Sequence, residues 1–371
     1  MHPVLLNIPV QFIQPLLSMP VILLLTAAAG FLSYRLALAR ETPKNDAING
    51  AILPTVVTFA VLQLAAGALK PWPLHTYGVL IAVAFVAGIA LAVREARRTG
   101  FDEEAVLDMG FWSLVSGMVG ARIYFILVNW KEYFVDHPWV TVTLKSSTIK
   151  VPAVLAVWQG GLVFYGGALG AVLTFFLFAR KRGLPYGRFA DILIPSLPVG
   201  HALGRLGCFA AGCCWGDSAF HLHDGNVVWD FAFAAQFPKD SLAYGSLLHT
   251  VTPDVQQMMA QSGHTLPLYP TQIMEAFGET LIFGILLVVR SRKVFHGQVA
   301  ATYFLLYPLL RATLEFFRGD TERGYIIPGV LSVGQFTSIL VAAGALTAIV
   351  VLMRKNRKNA EVAASMAPST A

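Results

Sequence analysis

Long apolar runs, interrupted by short polar stretches, occupy most of the chain. A run of roughly 18 to 25 apolar residues crosses a hydrocarbon core of about 30 Å as a helix. About nine such spans are expected, near 14–34, 49–69, 75–93, 107–128, 162–179, 189–208, 271–290, 298–316 and 331–353. The pattern predicts an all-α polytopic membrane protein. Two longer polar breaks, about 129–161 and 209–270, stand out. The second contains Trp229, Phe231, Phe233, Phe237 and Pro238, and is too long for a simple connector. It reads as a folded periplasmic or extracellular cap, or as an interfacial lid. No internal repeat is evident, and the small polar end from Asn359 to Ala371 reads as a disordered tail.

Composition agrees with that pattern: 56% of the 371 residues are hydrophobic and 13% are charged, about half the charge of a soluble domain. The net charge of +6 would suit nucleic acid if it formed one patch, but the basic residues cluster at the ends of apolar runs. These clusters are Arg35/Arg40/Lys44, Arg94/Arg97/Arg98, Arg180/Lys181/Arg182/Arg188, Arg290/Arg292/Lys293 and Arg354/Lys355/Arg357/Lys358. All fall on one side if the N-terminus is outside and the C-terminus cytoplasmic, which is the positive-inside arrangement and excludes a nucleic-acid partner. Three cysteines make no disulfide scaffold, although the vicinal Cys213-Cys214 pair is either redox-active or inert. Met1-His2-Pro3 lacks the basic start of a cleaved signal peptide, so the first apolar segment counts as structure.

Polar groups recur near the predicted outer ends of the spans. His75-Thr76-Tyr77-Gly78 begins a span, a position that also suits an interfacial aromatic anchor. In the run Trp158 to Gly167, paired glycines including Gly166 and Gly167 bracket Tyr165 at a helix start. Such glycines serve close helix packing. Tyr165 is also a candidate acid or base, though a phenol with a pKa of about 10 needs a neighbouring cation to act as a base.

Arg205 lies in Gly204-Arg205-Leu206-Gly207-Cys208-Phe209-Ala210-Ala211-Gly212-Cys213-Cys214-Trp215-Gly216, beside all three cysteines. A guanidinium at membrane depth is costly and calls for a partner such as a lipid phosphate. The glycines suit a turn or broken helix around a ligand. His201, four residues earlier, joins Cys208, Cys213 and Cys214 as a possible zinc or copper set by ligand type. The spacing fits no standard zinc module and a buried cysteine commonly fills space as a small apolar group, so no metal or other cofactor is expected.

Arg311, Glu315 and Arg318 share one helix face at spacings of four and three. A salt-bridge ladder would satisfy them. Alternatively, one arginine is left to hold an anion while Glu315 positions it. The planar guanidinium fork suits phosphate, so Arg205 and Arg311 on different helices would clamp one phosphate. Tyr269-Pro270-Thr271-Gln272-Ile273-Met274-Glu275 reads as a helix start, with Gln272 and Glu275 expected to meet the arginines or a ligand head group.

These runs, in this order, resemble the prolipoprotein diacylglyceryl transferase family of bacterial inner-membrane enzymes. The likeness extends from about His75 to Lys355 and is most specific at Trp158 to Gly170, Gly204 to Gly216, Tyr269 to Glu275 and Arg311 to Asp320. It implies a multi-pass inner-membrane enzyme with a seven-span core whose N-terminus is outside. On that basis 1–70 is an added pair of spans, 71–355 the transferase-like membrane domain and 356–371 a disordered cytoplasmic tail. The implied reaction moves a diacylglyceryl group from phosphatidylglycerol to the lipobox cysteine thiol of a preprolipoprotein and releases glycerol phosphate. Arg205 and Arg311 would bind the lipid phosphate and stabilise the leaving group. Tyr77, Arg122, Glu315, Arg318 and Gly216 also fall on family motif positions and would shape the lipid site. Gly166, Gly167 and Gln272 complete the substrate-binding candidates.

The chain departs from the family pattern in two places. Tyr165 stands where many members carry a histidine before Gly-Gly, the usual candidate for activating the thiol. Where the family motif reads Gly-Asn-Phe-x-Asn-Gly-Glu, this chain has Gly207-Cys208-Phe209-Ala210-Ala211-Gly212-Cys213, replacing two amides and a carboxylate. A thiol with a pKa of about 8.5 needs only modest help to ionise, so Tyr165, Glu315 or the cationic field would take over activation. Two other classes remain: an anionic-lipid binder or transporter on the same scaffold, and a thiol-redox or metal protein built on Cys208, Cys213 and Cys214.

Overall fold

Polar punctuation in the sequence sets the helix ends. In the computed structural model the described residues are 4–8, 72–131, 135–136, 139–144, 147–153, 161–224, 226–319, 325–327 and 330–366. The spans expected at 14–34 and 49–69 lie outside them, as do Trp158, Gln159, Gly160 and Asp320. The chain divides into two compact units, one of Thr76–Thr141 and Lys150–Ala371 and the other of His2–His75 and Val142–Ile149. In the second unit β1 (Val4–Ile8) pairs antiparallel with β2 (Trp72–His75).

The larger unit is helical. Its first helices are α1 (Thr76–Thr99), α2 (Glu103–Val128) and α3 (Phe164–Lys181), and the hairpin β3 (Trp139–Leu144) and β4 (Ser147–Pro152) falls between α2 and α3. Next come α4 (Tyr186–Leu193) and α5 (Ser196–Ala211), separated at Ile194-Pro195. After the cap follow α8 (Thr271–Arg292), α9 (Gln298–Leu314) with a 3-10 turn at Glu315–Phe317, the strands Tyr325–Ile327 and Leu331–Ser332, and α10 (Val333–Met366). Among the described residues five helices are long and apolar enough to cross a membrane: Thr76–Thr99, Glu103–Val128, Tyr186–Ala211, Thr271–Arg292 and Val333–Asn359. The 18 residues of α3 and the 17 of α9 coincide with two further expected spans. The last helix continues to Met366, into the segment expected to lack structure, because the run Lys355 to Ala364 is rich in lysine, alanine and other good helix formers.

Small residues set the packing. Gly120 of α2 meets Gly166 and Gly170 of α3 so closely that a Cβ on any of the three would overlap the facing backbone. This is the membrane pattern in which small residues let helices approach. Gly207 and Gly204 likewise admit Tyr77 and Ile81 where α1 packs on α5. From there α5 packs on α8, α8 on α9, and α9 on α10.

At the end of the bundle bearing the basic clusters, buried carboxylates take the place of solvent. Asp191 accepts from the amides of Val299 (3.0 Å) and Ala300 (3.1 Å) through Oδ1, and from Gly297 (2.9 Å) and Lys293 Nζ (3.0 Å) through Oδ2. It therefore caps α9 from α4, supplying negative charge to the positive end of the helix. Glu95 of α1 pairs with Arg98 (2.8 Å) and with Arg290 of α8 (2.7 Å).

The expected cap is folded. A hairpin of β5 (Phe220–His223) and β6 (Asn226–Trp229) leads to α6 (Leu242–Leu247) and α7 (Pro253–Ser262). Phe237, Ala243 and Leu268 form one buried cluster and Tyr244, Met259 and Leu266 another, so the loop has its own apolar interior.

Candidate functional site

Two helices carry an antiparallel polar zipper. On α5, His201 and Arg205 are one turn apart; on α8, so are Glu275 and Glu279. Because the helices run in opposite directions, Arg205 faces Glu275 and His201 faces Glu279. Arg205 Nε lies 2.9 Å from Glu275 Oε2, and its Nη2 donates to Glu275 Oε1 at 3.1 Å. His201 Nδ1 is 2.5 Å from Glu279 Oε1, and its Nε2 is 3.5 Å from Glu275. Both carboxylates are almost wholly buried, at 1% and 0% exposure, where an unpaired charge would be prohibitive.

The same face of α8 fixes the cysteine loop. Gly212 ends α5 in the left-handed conformation (φ 67°), and the chain turns back over the first turn of α8. There Gln272 Nε2 donates to the Cys213 carbonyl at 2.7 Å and Thr271 Oγ1 to the Cys214 carbonyl at 2.9 Å. With both carbonyls held by α8, the three thiols gather within 4.8 Å of one another. Hydrogen bonds from Cys208 and Cys213, reinforced by the nearby guanidiniums of Arg205 and Arg318, push the Cys214 thiol below its usual range.

The second arginine is held separately. Arg311, at the end of α9, pairs with Glu315 at 2.6 Å. A Cβ at Gly334 of α10 would stand 3.4 Å from the Glu315 carboxylate, so that glycine gives the glutamate its seat. Tyr307, one turn before Arg311, lies within electrostatic range of Arg205, Arg311, Glu275 and Glu279. Its ring meets His201 edge-on at 5.2 Å and stacks on Tyr303 at 5.7 Å. Tyr307 therefore links the two arginine stations.

Gly216 joins three motifs. Its amide donates to the Tyr269 carbonyl at 2.9 Å, it bridges to Arg318, and the next amide, of Asp217, donates to Phe317 at 2.8 Å. A Cβ at Gly216 would collide with the carbonyls of Tyr269 and Phe317. Tyr77 reaches the same region, its ring 3.2 Å from where a Cβ on Gly207 would lie.

Other expected site residues are placed elsewhere. Arg122 donates to the carbonyls of Ala153 (2.7 Å) and Gly161 (3.2 Å), and so ties down the chain leading into α3. Gly166 and Gly167 face α2 and form its packing seam. Tyr165 is 42% exposed on α3, edge-on to Phe164, and among the described residues it makes no hydrogen bond to Arg205 or Arg311. Sequence reading missed Glu279 and Tyr307. Glu279 was legible as a charge one turn after Glu275; Tyr307, in the apolar run Phe304-Leu305-Leu306-Tyr307-Pro308, gave no such signal.

Between α5 and α8 lies an apolar groove of about 380 Å³, lined by Ala202, Leu203, Leu206, Ala276, Phe277 and Phe283 among others. Neither Arg205 nor Glu275 lines it. Its lining carries no charge and suits an apolar chain.

Comparison with known proteins points the same way. Residues 65–351 match the family described as prolipoprotein diacylglyceryl transferase. A phosphatidylglycerol–prolipoprotein diacylglyceryl transferase from Psychrobacter arcticus is 30% identical over 290 residues, covering 76% of this chain and 90% of that protein. Enzymes of the same name from Serratia proteamaculans (30% over 283 residues, 75% of this chain and 89% of the relative) and Finegoldia magna (28% over 275 residues, 74% and 89%) are similar to it. The match spans the whole zipper, the cysteine loop, the cap and Arg311, and the chain belongs to the prolipoprotein diacylglyceryl transferase family.

Proposed function

We propose that this protein transfers the diacylglyceryl group of phosphatidylglycerol to the lipobox cysteine thiol of a preprolipoprotein. It works as a multi-pass enzyme of the bacterial inner membrane, with about nine spans, the N-terminus outside and the cap on the outer side. Family membership supports the reaction. The observation that carries the mechanism is the pair of partly buried arginines, each held by its own carboxylate and both within electrostatic range of Tyr307.

The acceptor sulfur, as the thiolate left when its proton passes to solvent, attacks the glyceryl carbon bonded to the phosphate oxygen; the C–O bond breaks and its electron pair leaves with glycerol phosphate. Negative charge therefore grows on the phosphate. Glu275 and Glu315 each engage part of a guanidinium, leaving further donors for that phosphate, since arginine carries five N–H groups in a rigid fork. Fixed cations facing the growing charge lower the barrier because they need not reorganise. The groove between α5 and α8 takes an acyl chain, and Tyr77 and Arg318 border the head-group region.

The test uses purified protein, phosphatidylglycerol and a lipobox peptide, scoring peptide mass gain and glycerol phosphate release. Arg205→Ala is expected to slow transfer by about 10²- to 10³-fold, the loss typical of one donor aimed at developing charge. Undiminished transfer in that variant would overturn the phosphate role.

A further inference from the structure

We propose that Cys208, Cys213 and Cys214 bind one zinc ion through their three sulfurs, and that its open fourth position receives the acceptor cysteine as a thiolate. Among the described residues these three form the one group of three or more metal-ligating side chains gathered tightly enough to hold an ion. Their sulfurs lie within 4.8 Å of one another. Zinc–sulfur bonds of about 2.3 Å at tetrahedral angles require sulfurs about 3.8 Å apart, so the three need to close by no more than about 1 Å.

The loop is built to present these sulfurs. Cys208 begins the last turn of α5, while Cys213 and Cys214 follow the left-handed Gly212, and Cys214 itself holds a positive φ of 58°. A non-glycine residue in that conformation is strained unless its surroundings fix it. Gln272 and Thr271 fix it by capturing the carbonyls of Cys213 and Cys214. Main-chain oxygens are thereby occupied and the side chains are left to converge. The spacing matches no sequence module because the set is assembled by a helix end and a tertiary contact.

Charge also fits. Zinc with three thiolates carries a net charge of −1, and −2 once a fourth thiolate binds, and Arg205 and Arg318 both lie within electrostatic range of Cys214. Three protein ligands and an open position are the arrangement of catalytic rather than structural zinc. Its chemistry answers a need of this chain. Tyr165 replaces the family's usual thiol-activating histidine, and it sits half-exposed on α3 without a bond to either arginine. Zinc would supply the activation: the acceptor S–H loses its proton to solvent on coordination. Its sulfur lone pair then forms the new C–S bond as the glyceryl C–O bond breaks, and glycerol phosphate leaves with that electron pair. No oxidant or reductant is required.

This purpose rests on the proposed transfer reaction, whereas the metal site can be tested without it. Purified full-length protein in detergent, stripped with a chelator, is titrated with Zn²⁺ and separately with Co²⁺. One metal per chain is expected. Bound Zn²⁺ should protect all three cysteines from iodoacetamide, and Co²⁺ should give the sulfur-to-metal absorption of a thiolate site. A lipobox peptide should shift that spectrum, and the same peptide with serine for its cysteine should not. Cys208→Ser, Cys213→Ser and Cys214→Ser should each weaken binding at least tenfold while the elution profile stays that of the wild type. Removing zinc should slow peptide modification, and restoring it should recover the rate. Absence of stoichiometric metal in the folded protein overturns the site. Metal binding without a peptide-dependent shift overturns the activating role, and full transfer by the metal-stripped enzyme does the same.

Discussion

Arg205 announced itself in the sequence because a charge in an apolar span must be answered by another group. Its partner Glu275 was legible for the same reason, and the structure joins them at 2.9 Å. His201 was harder to place. Beside three cysteines it looked like a metal ligand, but the antiparallel run of α5 and α8 points it at Glu279 and away from the thiols. Sequence spacing gave its face, and only helix direction could give its partner. A consequence follows for stability. Glu275→Gln removes the charge opposite a largely buried guanidinium, and breaking a buried pair from one side costs about 3–5 kcal/mol. Thermal unfolding in detergent should show that loss, together with reduced transfer; an unchanged melting temperature would mean that Arg205 has no need of this carboxylate.

Helices, more than residues, were predictable. Seven of the expected spans coincide with helices, one of them broken in two at Ile194-Pro195 and the last running past 353 to Met366, because burial in hydrocarbon forces every backbone group into an internal hydrogen bond. Sequence could not decide what Gly166 and Gly167 do. A glycine pair suits a ligand or a neighbouring helix equally, and the facing glycines that settle it are 46 and 50 positions earlier, at Gly120 and Gly117. Gly166→Val is therefore expected to force α2 and α3 apart and to cost about 1–3 kcal/mol, the usual range for overpacking. Gly284→Ala, with open space around it, should instead gain about 0.5–1 kcal/mol from helix propensity alone. Melting curves of the two variants should move in opposite directions.

At the scale of the whole molecule, basic clusters and hydropathy give an orientation that packing alone does not. The groups at Arg94 to Arg98, Arg180 to Arg188 and Arg290 to Lys293 lie near Glu95 and Asp191, at the opposite end of the helices from Arg205 and the cap. If that end is cytoplasmic, a phosphatase that folds only outside should be inactive when fused after Ala371 and active when inserted at the exposed Gly245 in the cap, where an added Cβ would meet nothing within 4 Å. The reverse pattern would invert the protein in the membrane. The cap's interior was not legible in sequence, because its small clusters form from residues more than twenty positions apart, such as Phe237 and Leu268.

Asp191 acts far from where it sits. By gripping the amides of Gly297, Val299 and Ala300, it pins the foot of α9 to α4. Arg311 stands at the other end of that helix. At 1.5 Å of rise and about 100° of turn per residue, α9 works as a ruler and a dial together, setting both the height and the bearing of its guanidinium. One alanine inserted between Ala301 and Tyr307 would leave the foot gripped and every local bond remade, yet swing Arg311 by about 100° from the lipid head group it is proposed to hold.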